Sequence, residues 1–279
     1  MMLRADRALL RPAILPLLLA LTACSSGPPP LRPRLELVWE KDMLSVISSE
    51  IPGGRIDTWY LEACCRSGST RREWGLTTIP HTTEKLPGST DRRVLLRTRV
   101  EGGIELHHTI TAGEGVVDFE VEAVNRGPEH VDIVWVQPCT RVGAFTGGDQ
   151  ESYIARSFIF LDGRQTFLTE TRRTEDAIYR GGQVYVPPGI DREDVNPRPL
   201  SPDVPSNGLI GCVSADGRML LAVAWEPYQE LFQGVIVCLH SDFRLGGLAP
   251  GETRRARGRM YIMENDTDAL LEVYEWDFR

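Results

Sequence analysis

The chain has 279 residues, 42% of them hydrophobic and 25% charged, with 39 acidic against 31 basic side chains and a net charge of −8. Such a composition is that of a globular protein, with length enough for one large domain or two smaller ones, and its acidity argues against nucleic acid as a partner. It contains no Gly-rich phosphate loop, nucleophile elbow or zinc-protease helix motif, and its cations are nearly all arginine, which is read as genome composition rather than function.

Arg4, Arg7 and Arg11 precede the apolar run Ala13–Leu21, which is too short to span a bilayer, and Leu21-Thr22-Ala23-Cys24 follows it directly. Small residues immediately before a cysteine resemble the bacterial lipobox, so residues 1–23 are expected to be a removable leader and Cys24 the acylated N-terminus. The competing reading is a plain secretory leader in which Cys24 is incidental. Ser25 after the cysteine lacks the aspartate that signals inner-membrane retention, so the expected location is the outer membrane, facing the periplasm. Residues 24–33, with Pro28, Pro29, Pro30 and Pro33, cannot hold a helix and read as an extended tether; the folded domain is expected over 34–279.

Strand signals dominate the domain. Leu35–Trp39, Leu44–Ser48 and Arg93–Arg99 read as strands, whereas Trp59–His81 mixes aromatics, arginines and hydroxyls without alternation and reads as a loop. From Gly103 to Cys139 the pattern predicts a three-stranded meander. Ile104–Thr111 alternates, and Val116–Ala123 alternates again with Asp118, Glu120 and Glu122 on one face. Val131–Gln137 is apolar on both faces and therefore central. Further strands are expected at Ser157–Leu161, Gly208–Val213, Arg218–Trp225, Gly234–His240 and Arg257–Met263, with a hairpin turn at Ser214–Gly217. The proline-loaded stretch 181–207 reads as a long surface loop, and Asp266–Trp276 as a helix capped by Asp266 with Leu270, Leu271, Tyr274 and Trp276 toward the body. Many strands and one late helix predict an all-β fold, a large antiparallel β-sandwich with a short C-terminal helix.

Of six cysteines, five remain if Cys24 carries lipid, so at least one thiol stays free. Their spacing matches no zinc pattern. Cys212 and Cys238 lie in apolar strand-like runs and read as packing residues.

Val237-Cys238-Leu239-His240, a short loop, Leu248-Ala249-Pro250-Gly251-Glu252-Thr253 and a final strand through Tyr261 resemble the end of galactose mutarotase-like proteins. The Asn125 turn and the hydrophobic strand running into Gln137-Pro138-Cys139 are similar too, so the resemblance covers about residues 92–264. It implies the mutarotase-like sandwich and a carbohydrate ligand. Aldose epimerases of that fold carry Cys-Leu-Glu, whose glutamate is the general base; here His240 stands in its place, and their Asn-x-x-His segment has no counterpart, so classical mutarotation is not implied.

Within that frame His240 is the candidate general base, oriented by Asp242 beyond the strand end, and alternation places Ile236, Cys238 and His240 on one face. Gln137, Cys139 and Arg141 are candidate ligand-binding residues at the end of the meander, and Trp74 and Arg71 in the 59–81 loop suit stacking on a sugar ring and holding acidic groups. His107 and His108 face opposite ways. His108 reads as a core residue, and His107 as a groove residue or a solvated one. Cys139, His107 and His240 unite a thiol with two imidazoles, yet no close-spaced ligand pair joins them, and no metal or cofactor is expected. The reading is a lipid-anchored envelope protein with a carbohydrate-binding groove. The alternatives are a divergent carbohydrate-active enzyme using His240 as base, and a structural or protein-binding lipoprotein.

Overall fold

The computed structural model describes residues 32–279, so the leader, Cys24 and the tether up to Leu31 lie outside the described residues. Sixteen strands form two antiparallel sheets. In chain order they are β1 (Glu36–Glu40), β2 (Met43–Ile47), β3 (Arg55–Cys65), β4 (His81–Lys85), β5 (Arg93–Val100), β6 (Ile104–Ala112), β7 (Val116–Asn125) and β8 (Trp135–Arg141). The second half contributes β9 (Ser157–Leu161), β10 (Arg164–Phe167), β11 (Gln183–Tyr185), β12 (Ile210–Val213), β13 (Met219–Glu226), β14 (Tyr228–Gln233), β15 (Cys238–Arg244) and β16 (Thr253–Glu264). One sheet runs β1-β2-β3-β8-β15-β14-β11, and the other runs β10-β9-β12-β13-β16-β7-β6-β5-β4. Between them lies one continuous core in which Ile56, Tyr60, Leu239 and Phe243 of the first sheet meet Leu106, Ile110, Phe119 and Trp225 of the second.

Alternation sets the faces. Asp118, Glu120 and Glu122 of β7 stand on the outer face opposite Arg259, Arg257 and Arg255 of β16, a cross-strand ladder of opposite charge. The other face of β7 buries Val117, Phe119 and Val121. The Asn125 turn and the Leu248–Thr253 turn interlock: Asn125 N–H donates to Glu252 C=O at 3.0 Å, Gly251 N–H donates to Asn125 C=O at 3.0 Å, and the Asn125 amide reaches Leu248 C=O. Two motifs far apart in the sequence thus form one corner of the sandwich. A helix, Thr267–Asp277, closes the outer face of the larger sheet with buried Leu270 and Tyr274, its first turn capped by Asp266 accepting from Ala269 N–H at 3.0 Å.

Five expectations need correction. The third meander strand pairs with neither of the first two: after β7 the chain crosses to the other sheet, and β8 lies centrally there between β3 and β15, as its two apolar faces demand. Trp59–Cys65 is strand rather than loop, its alternation masked where β3 changes register on β8 between Trp59 and Ala63, with Leu61 at φ 64°. Gly234–His240 is a turn followed by the start of β15, so Ile236 belongs to the turn and Asp242 lies within the strand. Residues 181–207 include β11 and bury Val184, Val186 and Val195 against Phe232, making a packed strap instead of a free loop. Trp276 points outward and is 74% exposed, because the face toward the sheet is filled by Leu270 and Tyr274 with Leu271 and Val273 packed beside them.

Candidate functional site

On β15 the side chains of Leu239 and Phe243 enter the core, so Cys238, His240 and Asp242 occupy the opposite face. Continuing the register of Leu239 with Thr140 and Phe243 with Val136 sets His240 across from Cys139 and Asp242 across from Gln137. On the other flank β14 places Phe232 opposite His240 and Glu230 opposite Asp242. The register change in β3 brings Glu62 to the same face, since it adds residues that regular pleating would not accommodate. All these polar groups are roofed over. The strap crosses above them with Asn196, Pro197 and Arg198, and the 67–71 turn ties it down through Ser69 Oγ to Val195 C=O at 2.5 Å and Gly68 N–H to Asp194 at 2.9 Å.

The result is a cavity of about 420 Å³ lined by Glu62, Trp74, Gln137, Asn196, Arg198, Phe232 and His240, among others. Its size falls in the roughly 300–1,000 Å³ range of small-molecule sites. Within it, His240 is held on both ring nitrogens: Nε2 lies 3.2 Å from Cys238 Sγ, and Nδ1 lies 3.3 Å from Gln137 Nε2 and 3.8 Å from Asp242 Oδ1. With the Gln137 amide donating to Nδ1, the ring proton sits on Nε2 and is directed at the Cys238 sulfur. Hydrogen bonding from Cys139, and after it the imidazole of His240, holds the Cys238 thiol below its ordinary range, while Cys139, the donor of that bond, is held above. Gly234 permits this corner, because a Cβ there would lie 2.2 Å from Cys238 Sγ.

Behind the imidazole lie two buried carboxyls. Glu230 accepts from Asn196 N–H at 2.9 Å, and desolvation pushes its pKa up to about 8. Asp242 is fully buried, and burial, followed by repulsion from Glu230, raises it well above the usual carboxylate range. Glu62, at the cavity wall, is raised by desolvation as well.

Of the residues singled out from the sequence, His240, Asp242, Gln137, Cys139 and Trp74 come together here, with the Trp74 ring 6.2 Å from that of Trp135. Two, Arg71 and His107, do not join them. Arg71 is on the surface, paired with Glu193 at 2.5 Å, whereas Arg141 stands exposed at the end of β8, in register with Cys238, where its charge acts on Glu62 and Cys139. His107 lies on the outer face of the other sheet, beside Thr109 and Glu120. His108 is a core residue as expected. Glu62, Glu230 and Cys238 were not legible as site residues. Glu62 is hidden by the register change, and Glu230 lies in β14, between Trp225 and Gly234, where no strand was expected. Cys238 carried a usable signal, its alternation with His240, which the apolar run around it outweighed.

No protein-family model matches the chain, and no curated protein matches its sequence. Solved structures similar to it include a putative aldose 1-epimerase from Escherichia coli K12, 10% identical over 82% of this chain and 98% of that one, with a TM-score of 0.43. A galactose mutarotase-like protein from Lactobacillus casei is 8% identical over 82% and 99%, with a TM-score of 0.44. The galactose 1-epimerase of Lactobacillus acidophilus is 9% identical over 85% and 100%, with a TM-score of 0.41. The likeness is one of sheet arrangement, and the chain itself is the all-β sandwich of two antiparallel sheets that the strand pattern implied.

Proposed function

We propose that this is an envelope protein whose cavity binds a carbohydrate. The observation that carries the reading is the cavity itself: an aromatic wall at Trp74 faces hydrogen-bonding groups of both kinds at Glu62, Gln137, Asn196, Arg198 and His240. A sugar presents an apolar ring face and a rim of hydroxyls that donate and accept, and this lining complements both. The sequence resemblance supports the same ligand class.

Thermal shift with a panel of neutral and acidic sugars tests it, since a ligand that prefers the native state raises the melting temperature. The expected result is a sugar-dependent rise that Trp74→Ala and His240→Ala each lose while remaining folded. If no sugar moves the folded wild-type protein, the reading gives way to a structural or protein-binding lipoprotein.

A second reading, catalysis on the bound sugar, is favoured by the pairing of His240 with Cys238 at one nitrogen and by the Asp242 carboxylate near the other. This imidazole accepts a proton from a hydroxyl at Nδ1 if the Gln137 contact opens, and Glu62 supplies a carboxyl at the same wall. Turnover of the sugars that bind, lost in His240→Gln but with binding retained, is the outcome that would separate this reading from simple binding.

The leader supports anchoring through Cys24. Expressed in a Gram-negative host, the protein is expected in the outer-membrane fraction with a lipid-modified N-terminus by mass spectrometry. Cys24→Ala is expected to release it from that fraction.

A further inference from the structure

Cys139 Sγ, Cys238 Sγ and His240 Nε2 all lie within 4.8 Å of one another, and all three residues are buried. They come from two neighbouring strands, so the cluster is set by sheet register and not by a mobile loop. Tetrahedral zinc, with Zn–S near 2.3 Å and Zn–N near 2.0–2.1 Å, spaces such ligand atoms about 3.5–3.8 Å apart. To reach that spacing Cys238 and His240, now at 3.2 Å, separate slightly, and a pair at the 4.8 Å limit closes by about 1 Å.

Three further observations point to an ion. Gly234 brings bare backbone against the cluster, where any Cβ would lie 2.2 Å from Cys238 Sγ and 3.1 Å from His240 Nε2. Asp242 lies buried 3.8 Å from His240 Nδ1, with Glu230 on its other side. An ion on Nε2 moves the ring proton to Nδ1, where the Asp242 carboxylate accepts it, the arrangement that orients metal-bound histidines generally. Finally, Cys238 and His240 open on the cavity, which leaves a fourth position accessible beside Glu62.

We propose that Cys139, Cys238 and His240 bind a zinc ion at the cavity floor, with the fourth position facing the cavity. Both sulfurs ligate as thiolates, and the proton of the Cys139 thiol passes to solvent. Two sulfurs and one imidazole select a borderline or soft ion over magnesium or calcium. The inference is independent of the sugar reading. With Nε2 committed to zinc, His240 holds the ion instead of moving a proton, and Glu62 is the carboxylate left to act on a bound hydroxyl.

The full chain, reduced and stripped with a chelator, is titrated with cobalt(II) in the absence of sugar. Thiolate-to-cobalt charge-transfer absorption is expected to saturate at one equivalent and to be bleached by one equivalent of zinc. Cys139→Ser and Cys238→Ser are expected to lose the charge-transfer signal or bind at least tenfold more weakly, Asp242→Asn to bind about tenfold more weakly, and Cys65→Ala to bind normally. Should a ligand variant fail to fold, alkylation of the wild-type protein answers instead: zinc is expected to protect Cys139 and Cys238 selectively, by peptide mass. A folded protein with no charge-transfer band and no zinc protection overturns the proposal. So does binding of copper(I) alone, or a reduced-state mass showing that Cys139 and Cys238 persist as a disulfide. Failure of the sugar panel leaves it standing, because neither readout involves a sugar.

Discussion

Raising the pH from about 6.5 to about 8 is expected to lower the stability of the protein, and Glu230→Gln is expected to reduce that decline. Glu230 is fully buried, with Asn196 N–H on its carboxyl, the charge of Asp194 near it and the Asp242 carboxyl as a hydrogen-bonding neighbour. Desolvation lifts its pKa from 4.5 to about 8. The folded state therefore retains a proton that the unfolded chain has already released. Stability from this site is complete below about pH 4.5 and is lost as the pH rises through about 8. A shift of that size corresponds to a contribution on the order of 5 kcal/mol. Glutamine keeps the shape and an acceptor for Asn196 but carries no proton to lose. Urea midpoints of chelator-treated protein, taken across the range, give the comparison. Parallel slopes in wild type and Glu230→Gln would show that the carboxyl is ionised in the fold and that the strap above it admits water.

The same residues show what a sequence can and cannot disclose here. Alternation over Ile104–Thr111 and Val116–Ala123 placed β6 and β7 with the correct buried faces, because one face of each meets the core and the other meets water. That periodicity reports a face and not a sheet. His107 was accordingly placed on a polar face, and the polar face belongs to the sheet without the cavity. The register change at Leu61 breaks the period at the point where Glu62 enters the cavity, so the device that makes Glu62 functional also erased its signal. The strap was obscured for a related reason: its prolines prevent any regular pattern, yet Val184, Val186 and Val195 are enough to bury it. His240 and Asp242 were legible through the strand-end motif and their two-residue spacing. Their partners come from β3, β8 and β14, whose pairing depends on long-range register.

An opposite pH dependence is expected from His108. His108 is buried between the sheets, with Tyr60 OH 3.1 Å from Nδ1 and Thr98 Oγ1 3.0 Å from Nε2. It is a polar bridge across an otherwise apolar core. Burial, followed by repulsion from His107, lowers its pKa from 6.5 to about 3. Because the folded value lies below the unfolded one, its stability is complete above about 6.5 and is lost as the pH falls through about 3. The magnitude is again on the order of 5 kcal/mol. Between pH 4.5 and 6.5 the His108 gain and the Glu230 loss oppose each other at about one proton each, so these two sites together contribute a plateau there with a fall on either side. Exposed carboxylates such as Asp216, lowered to about 2 by Ser214 and Arg218, act only below the plateau and leave its acid edge to His108. His108→Gln is expected to lose about 1–3 kcal/mol near neutrality through poorer pairing with Tyr60 and Thr98. It should also tilt the plateau, so that stability keeps rising as the pH falls from 6.5 toward 4.5. The double variant Tyr60→Phe, His108→Leu removes both partners of one bond and is expected to show the same tilt with a smaller loss at neutrality. A level plateau in both variants would mean that His108 is charged in the fold, and that the Tyr60–His108–Thr98 chain is hydrated.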